Sequence, residues 1–258
     1  MSAPLLQVRG VSKHFAGVRA VDGVDFSIDV GEIVALIGPN GAGKSTLFGV
    51  VAGQHRATAG TVLFNGQALA GRDPAALARA GIGRTFQTAQ TWGTLTVLQN
   101  VQLALSAAAG RVFDPFTRLD DIQAAPAHAL LSRVGLAERA ALAAAALPYP
   151  DSKRLELAIA LASAPRLLLM DEPTAGMAAA ERMALMDLVR SLLAESATGA
   201  QPLTVLFTEH SMDVVFGYAQ RVLVMARGRL IADGTPAAVR ADPAAQAAYF
   251  GEPVEGVQ

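Results

Sequence analysis

The stretch that decides the fold is Glu32-Ile-Val-Ala-Leu-Ile37, followed directly by Gly38-Pro-Asn-Gly-Ala-Gly-Lys44-Ser45-Thr46. The apolar run predicts a buried strand, the glycines predict a turn, and a helix is predicted to begin at about Lys44. The loop fits the pattern G-x-x-x-x-G-K-S/T, in which backbone N–H groups wrap a polyphosphate and the helix start adds partial positive charge. The competing interpretation is a Gly-rich turn with an exposed lysine, and the strand–turn–helix context disfavours it. We expect phosphate contacts from Asn40, Gly41, Ala42, Gly43, Lys44, Ser45 and Thr46, with Lys44 at the β- and γ-phosphates and the Ser45 hydroxyl on Mg²⁺.

Two carboxylates follow a second apolar strand, Arg166-Leu-Leu-Leu-Met170. Ligands bind at the carboxyl ends of strands in open α/β sheets, so Asp171 is expected to hold Mg²⁺ through water and Glu172 to polarise the attacking water. Because adjacent residues on an extended strand point in opposite directions, the two acids should differ in role. Capping of a following helix is the alternative explanation of such a pair.

A third apolar strand, Leu203-Thr-Val-Leu-Phe207, ends just before Glu209 and His210. His210 could contact the γ-phosphate there, although a lone histidine at such a place is more often structural. Further along, two apolar runs at 221–225 and 229–232 are joined by Ala226-Arg-Gly228, which predicts a hairpin.

The order of these elements predicts the fold class. Continuous apolar strands alternate with helices such as Ala179–Ala197, which is typical of a mainly parallel sheet covered on both faces. Between Val97 and Ala164 an Ala/Leu-rich helical pattern replaces the strands. We interpret that stretch as a helical insertion in an α/β core, with an independent α domain as the alternative.

Composition excludes several classes of protein. The 258 residues are 52% hydrophobic and 17% charged, with a formal net charge of −1, which argues against a disordered chain and against nucleic acid held by charge. The lack of cysteine excludes disulfides and thiol catalysis. Mean hydropathy is +0.36, but no stretch reaches the roughly 18 apolar residues of a spanning helix. No signal peptide follows Met1, so a soluble, intracellular protein is expected.

Taken together, these motifs resemble the nucleotide-binding subunit of an ABC transporter over nearly the whole chain. Arg84-Thr-Phe-Gln87 resembles the Q-loop, whose glutamine contacts Mg²⁺ or water; Asp171-Glu172-Pro-Thr174 is similar to the Walker B end and Thr208-Glu209-His210 to the switch histidine. Phe15 matches the aromatic residue on which adenine stacks, with a core phenylalanine as the alternative. The resemblance implies a P-loop NTPase core of α/β class with a mainly parallel sheet, an antiparallel N-terminal β part and an inserted helical subdomain. The implied boundaries are 1–87 and 166–240 for the core, 88–165 for the helical subdomain with the signature loop, and 241–258 for a C-terminal helix and tail.

Further segments resemble the ATP-binding subunits of branched-chain amino acid importers, a pattern that urea and short-amide importers share. They are Arg84–Gln87, Thr96-Val-Leu-Gln-Asn-Val101, Lys153-Arg-Leu-Glu156 and the tail from Gly234-Thr-Pro to Ala248-Tyr-Phe-Gly-Glu252. The lipopolysaccharide-transport ATPase is similar in outline, but Arg84–Gln87 favours the importers. The resemblance implies an ATPase using ATP and Mg²⁺, peripheral at the cytoplasmic face of the inner membrane. It also implies three kinds of partner: a second, different ATPase subunit, two membrane-spanning permease subunits and an external solute-binding protein. With the second ATPase subunit the chain would close a nucleotide-sandwich dimer.

The chain departs from the family pattern at the signature loop. Leu147, Pro148, Tyr149, Pro150 and Asp151 stand where Leu-Ser-Gly-Gly-Gln is common, so a hydroxyl and an N–H that face the partner's γ-phosphate are lost. Ala178 replaces the usual D-loop aspartate, and Ile159 replaces an arginine. We predict two unequal ATP sites in the assembly; the alternative is that other amides at the helix start serve instead.

Two other function classes fit the motifs less well. A soluble ABC ATPase acting on DNA or ribosomes would need coiled-coil arms, tandem cassettes or basic linkers, which this compact sequence lacks. A regulatory subunit without turnover is disfavoured by Glu172 and His210. Finally, the helical region after Gln87, including Trp92, is expected to form the groove for a short helix of a membrane subunit, with local packing of Trp92 as the alternative.

Overall fold

The computed structural model describes residues 3–85, 91–110, 123–199 and 201–250. The chain divides into two compact units, one formed by Met1–Pro74 with Thr204–Gln258 and the other by Ala75–Leu203. Within the described ranges, no helix combines the length and the apolar character needed to cross a membrane.

The first unit contains an antiparallel sheet in the order β2-β1-β4-β5, formed by β1 (Leu6–Phe15), β2 (Val18–Ile28), β4 (Ala59–Phe64) and β5 (Gln67–Ala68). Leu6 pairs with Ile28 on one side and with Phe64 on the other. Buried positions along the first half of β1 recur at Leu6, Val8 and Val11, with more exposed residues between them, as expected for a sheet with one face packed on a core.

A second set of strands in this unit is mainly parallel. Strand β3 (Ile33–Ile37) lies between β8 (Thr204–Thr208) and β9 (Arg221–Ala226), parallel to both, while β10 (Arg229–Gly234) runs antiparallel to β9. All five residues of β3 are buried, which explains its unbroken apolar sequence. The predicted hairpin is confirmed: Arg227 and Gly228 have φ values of +49° and +79°, the signs that a two-residue type I′ turn requires.

The helices of the first unit are α1 (Lys44–Val51), α7 (Met212–Tyr218), α8 (Pro236–Ala241) and α9 (Pro243–Phe250). The start of α8 follows from its sequence, because Thr235 accepts a hydrogen bond from the Ala238 N–H and Pro236 occupies the first turn.

The second unit is mainly helical. It contains the parallel strands β6 (Ile82–Arg84) and β7 (Leu167–Asp171) with the helices α2 (Pro74–Ala80), α3 (Val97–Ala108), α4 (Ala124–Arg133), α5 (Tyr149–Leu161) and α6 (Ala179–Ala197). Helix α3 packs against α4 and α5, and α5 packs against α6 and β6. Thr96 and Gln99 form a capping box that starts α3, which gives the Thr96–Val101 motif a structural reason. The predicted fold class is confirmed: a mixed α/β fold with an antiparallel N-terminal sheet, a parallel-rich sheet and added helices.

Candidate functional site

The loop 38–43 joins β3 to α1 as predicted, and its glycines are needed for steric reasons. Gly43 precedes α1 with a φ of +98°, and a Cβ there would lie 2.2 Å from the Ala20 carbonyl oxygen. A Cβ on Gly38 would lie 2.2 Å from the Met225 carbonyl oxygen. Neither gap admits a side chain, so both positions require glycine.

The start of α1 is suited to an anion. Its first turn contains no acidic residue, and among the described residues no side chain caps it. The N–H groups and the positive end of the helix dipole are therefore directed at whatever binds there. Asn40, Gly41 and Ser45 are exposed beside it, whereas Ala42 is buried and its carbonyl oxygen accepts from the Gly228 N–H at 3.0 Å.

Lys44 is 6% exposed and folds back onto the loop. Its Nζ donates to the carbonyl oxygens of Gly38 at 2.7 Å and Pro39 at 3.2 Å. The ammonium thus lies inside the curve of the loop, where a bound phosphate would offer a stronger, charge-assisted acceptor than a carbonyl.

His210 lies at the same edge of the parallel strands as the phosphate loop. Leu36 on β3 is in register with Thr208 on β8, so the residues after each strand emerge together. Glu209 is 2% exposed, and its carboxylate accepts from the N–H groups of His210 at 2.9 Å and Ser211 at 3.2 Å. This arrangement fixes the backbone of the turn and leaves His210 exposed.

Phe15 ends β1 and is 42% exposed, so it is not a core residue. The His55 ring meets it edge to face at a centroid distance of 5.5 Å, and the Lys13 Nζ lies 4.8 Å from its centroid. An exposed ring held from two sides is a suitable platform for a planar base.

In the second unit, the acidic pair lies at the end of β7. Leu167, Leu168, Leu169 and Met170 are buried, and Asp171 emerges at the strand end with its carboxylate 3.8 Å from the Arg84 guanidinium. The expectation of an extended backbone through both acids is wrong. Glu172 has a φ of +46°, and its carbonyl oxygen accepts from the Ala175 N–H at 3.1 Å. A turn, rather than the alternation of a strand, therefore separates the two carboxylates, and a non-glycine residue with positive φ at this place is typical of functional sites.

The residues present fit Mg²⁺ bound together with a nucleotide. No group of three or more His, Asp or Glu side chains within the described ranges is placed to hold a metal by itself. Mg²⁺ usually keeps several waters and takes one or two protein oxygens along with substrate phosphates. In the first unit the Ser45 hydroxyl, and in the second unit the Asp171 carboxylate, is an oxygen donor of this kind.

The signature segment forms the start of α5. Pro148 is its N-cap residue, and the N–H groups of Asp151 and Ser152 both donate to the Pro148 carbonyl oxygen at 3.0 Å. Pro150 has no N–H to offer. The Asp151 carboxylate forms an ion pair with Arg139. This turn therefore has no backbone N–H at position 150, and the N–H at position 151 is already hydrogen-bonded within the turn.

Tyr149 links this segment to the turn after Glu172. Its hydroxyl donates to the Ala175 carbonyl oxygen at 2.9 Å, and the neighbouring Gly176 has a φ of +76°. The following helix α6 begins after Ala178, whose N–H donates to the Glu181 carboxylate at 2.9 Å. Glu181 therefore supplies only its own half of a capping box, because alanine at position 178 has no side-chain acceptor for the N–H groups of the first turn.

Helix α5 also contains a buried ion pair within the Lys153–Glu156 motif. The Lys153 Nζ lies 3.2 Å from the Glu156 carboxylate, and the side chains are 3% and 4% exposed. Breaking one partner of such a pair is costly, because the other charge stays buried.

Trp92 does not lie in a helix, contrary to expectation, since α3 begins only at Val97. The buried side chain of Asn100 holds the Trp92 backbone from both directions: Oδ1 accepts from the Trp92 N–H at 2.8 Å, and Nδ2 donates to its carbonyl oxygen at 3.1 Å. The indole itself is half-exposed, with Leu142 a second exposed apolar side chain of this unit.

The structure thus places Phe15, the phosphate loop and His210 in the first unit, and Asp171, Glu172 and the signature segment in the second. Gln87 lies outside the described residues, as do the last residues of the tail motif. Sequence reasoning used Arg84 only as part of a motif and did not identify its contact with Asp171, nor the partner of Asp151 in Arg139. Both pairs join residues whose proximity depends on the folded chain.

Comparisons with known proteins agree with these features. A family model described as ABC transporter matches residues 21–175, and one described as branched-chain amino acid ATP-binding cassette transporter matches residues 229–255. The high-affinity branched-chain amino acid transport ATP-binding protein LivG of Escherichia coli (strain K12) is 38% identical, covering 98% of this chain and 100% of LivG. The corresponding BraF of Pseudomonas aeruginosa is 35% identical, covering 98% of this chain and 100% of BraF. The crystal structure of an ATP-binding cassette of an ABC transporter in its ADP conformation is similar with a TM-score of 0.83 and 30% identity, covering 97% of this chain and 100% of that one.

Proposed function

This chain belongs to the ABC transporter family of ATP-binding proteins, and we propose that it is the ATP-hydrolysing motor subunit of an importer for branched-chain amino acids. It is an ATPase by family, and the observation that carries the substrate class is its similarity to LivG over the whole length of both chains. The separate match of residues 229–255, beyond the general ABC match, supports the same subfamily.

We assign the nucleotide contacts of the first unit as follows. The uncapped N–H groups at the start of α1 bind the phosphates, Lys44 exchanges its carbonyl acceptors for the β- and γ-phosphates, and adenine stacks on Phe15. Asn40–Thr46 surround the phosphates, and His210 contacts the γ-phosphate from the neighbouring strand end.

The second unit supplies groups for the chemical step. Mg²⁺, when bound, would neutralise phosphate charge; the residues proposed to hold it are Ser45 of the first unit, Asp171 of the second, through water, and Gln87 of the Q-loop. Glu172 accepts a hydrogen bond from the attacking water and polarises it. Its backbone has a φ of +46° in a turn, whereas Asp171 is the last residue of β7, so the two carboxylates stand in different backbone environments, which supports different roles.

We propose further that the chain acts with two permease subunits at the cytoplasmic face of the membrane. Trp92 lies in a segment whose backbone is fixed by Asn100 while the indole remains half-exposed, and we assign it to the groove for a permease helix. The proposed domain boundaries follow this assignment. Residues 88–165 are the subdomain that contacts the permease and, through the signature loop, the partner ATPase subunit.

The partner in the nucleotide-sandwich dimer is a second, different ATPase subunit. A site completed by Leu147–Asp151 has no N–H at Pro150, has the Asp151 N–H bonded to Pro148, and has the Asp151 carboxylate paired with Arg139. A site that combines Lys44, Asp171 and Glu172 with the partner's intact signature keeps its donors. The two sites are therefore unequal, and a homodimer of this chain would contain only the weakened kind.

The test is co-expression with two permeases and a second ATPase encoded near this chain, followed by reconstitution of the complex in vesicles. The binding protein is supplied on one side of the vesicle membrane and then, in a separate preparation, on the other. ATP-dependent uptake of leucine, isoleucine or valine is the expected result. Uptake of urea or a short amide in their place would reassign the substrate class, and ATP hydrolysis with no association to permeases would contradict the motor function. Loss of uptake in Lys44→Ala, with the complex still assembled, is the matched control.

A further inference from the structure

We propose that the first unit contains a second ligand site, which binds an aliphatic L-α-amino acid in a cavity of about 710 Å³ formed with α7, α8 and α9. This proposal rests on the proposed function for its choice of amino acid, because the imported solute is the aliphatic amino acid that accumulates on the side where this chain works. The site is separate from the phosphate loop, although one wall adjoins it.

The floor of the cavity is apolar and buried. Ile37 from β3, Val239 from α8 and Ala245 from α9 line it and are 1%, 5% and 4% exposed, respectively. The volume falls within the roughly 300–1,000 Å³ that small-molecule sites occupy, and it leaves room for water beside a single branched side chain. Aliphatic walls of this kind gain most from aliphatic ligands.

The charged lining residues have opposite signs and come from different helices. Arg240 on α8 has its guanidinium carbon 4.5 Å from the centroid of the Phe216 ring on α7. Stacking uses the face of a guanidinium and leaves its N–H edges for a carboxylate. Asp213, also on α7, lines the same cavity with a carboxylate. A zwitterion with an aliphatic side chain matches this set: carboxylate to Arg240, ammonium to Asp213, side chain to the floor. A phosphate or a dicarboxylate matches the set less well, because it has no cationic group for Asp213.

The location connects the site to ATP. Ile37 immediately precedes Gly38 of the phosphate loop, and Tyr249, another lining residue, has its hydroxyl against the Gly38 backbone. Burial of that hydroxyl raises the pKa of Tyr249 to about 12. Helix α7 begins two residues after His210. A ligand in the cavity therefore contacts Ile37 and Tyr249, which adjoin Gly38 of the phosphate loop, and Met212, which lies two residues after His210. Any effect of the amino acid on ATP affinity is matched by an equal effect of ATP on amino acid affinity.

The test is isothermal titration calorimetry of the purified full chain with L-leucine, L-isoleucine and L-valine, together with ATP as a parallel titrant. Three compounds separate the contributions: 4-methylpentanoate lacks the ammonium group, isoamylamine lacks the carboxylate, and glycine lacks the side chain. Two variants remove one charge each, Arg240→Gln and Asp213→Asn. Arg9→Gln, on the exposed side of β1, is the control for loss of an arginine elsewhere in the unit.

Saturable binding of L-leucine is expected, weakened at least about tenfold by either cavity variant or by either missing charge, as for loss of a charge-assisted hydrogen bond, and unchanged in Arg9→Gln. Saturating leucine should change the affinity for ATP by a measurable factor, and saturating ATP should change the affinity for leucine by that same factor. A chain that binds ATP but shows no saturable leucine binding overturns this inference alone, as does equal binding by the wild type and both cavity variants. A chain that binds no ATP contradicts the proposed function instead.

Discussion

The guanidinium of Arg84, the last residue of β6, lies 3.8 Å from the carboxylate of Asp171, the last residue of β7. Both side chains are largely buried, at 15% and 18% exposed. Burial lowers the pKa of Arg84, and the Asp171 carboxylate acts in the opposite direction. The parallel pairing of β6 and β7 thus connects the segment that leads into Gln87 with the carboxylate assigned to Mg²⁺.

Replacing Arg84 should therefore disturb the use of Mg²⁺ more than the binding of ATP. We expect Arg84→Gln to raise the Mg²⁺ concentration for half-maximal hydrolysis several-fold, because Asp171 loses the group that orients it, while Arg84→Lys restores part of the effect. Hydrolysis rates across a Mg²⁺ titration measure this, with ATP affinity in EDTA as the reference. A lowered Mg²⁺ requirement would instead identify Arg84 as a competitor of the metal.

The phosphate lysine and the acidic pair should separate binding from turnover. Lys44→Ala removes a ground-state phosphate contact and should weaken ATP binding strongly, whereas Glu172→Gln should leave binding intact and abolish turnover, because polarising water matters only in the transition state. Fluorescent-nucleotide titration and single-turnover hydrolysis on both variants decide the matter. Equal loss of ATP affinity in the two would contradict the assigned roles.

The unequal sites can be tested within the assembled complex. Glu172→Gln should remove nearly all ATPase activity, while the equivalent change in the partner subunit should leave most of it. The reason is that each oriented donor lost at a developing oxyanion costs about 10²–10³ in rate. As a second arm, Pro148→Ser combined with Pro150→Gly restores both missing donors. In that background, replacing the partner's catalytic glutamate should remove a substantial part of the ATPase activity. If the two glutamate variants of the unaltered complex lose activity equally, the proline-bearing signature is competent.

Trp92→Ala should uncouple transport from hydrolysis, or release the permease, without unfolding the chain. The expectation follows from the half-exposed indole and from a backbone that Asn100 holds independently of it. Asn100→Ala is the matched variant and should lower the melting temperature, since it removes the acceptor of the Trp92 N–H and one of the two donors to the Trp92 carbonyl oxygen, the other being the Leu95 N–H at 3.0 Å. A comparable drop in melting temperature for Trp92→Ala would indicate local packing instead.

Alkaline pH should destabilise the wild type through Tyr249. The pKa of this phenol is raised from 10.0 to about 12 in the folded chain, mainly by burial, so the folded state favours the neutral form. Its contribution to stability is complete below pH 10 and is lost as the pH rises toward 12. Denaturant unfolding of wild type and Tyr249→Phe between pH 9 and 12 measures the difference. A difference in unfolding free energy that stays constant over this range would contradict the raised pKa.

The parts of the site that the sequence predicted well are local. Strand, glycine turn and Lys44 follow one another within a short stretch, so periodicity and turn chemistry were enough, and helix α6 was predicted over its observed span, Ala179–Ala197. Arg84 and Asp171 meet only because β6 and β7 pair, and the sequence contains no signal for that register. Glu172 precedes Pro173, which favours an extended backbone. The positive φ at Glu172 arises from a tight turn to Ala175 that local propensity opposes.

The buried pair of Lys153 and Glu156 restricts how this chain can diverge. The two residues lie about one turn of α5 apart, and both charges are almost completely shielded from solvent. A single neutral replacement removes the ion-pair partner of a charge that stays buried, at a cost of about 3–5 kcal/mol, a large share of a typical domain's stability. Replacement of both by apolar side chains of similar volume has no such cost. A sequence can therefore exchange the ion pair for two apolar residues without this loss of stability only if both positions change nearly together. We expect helix α5, which begins at the signature segment, to retain the ion pair because each single replacement is destabilising.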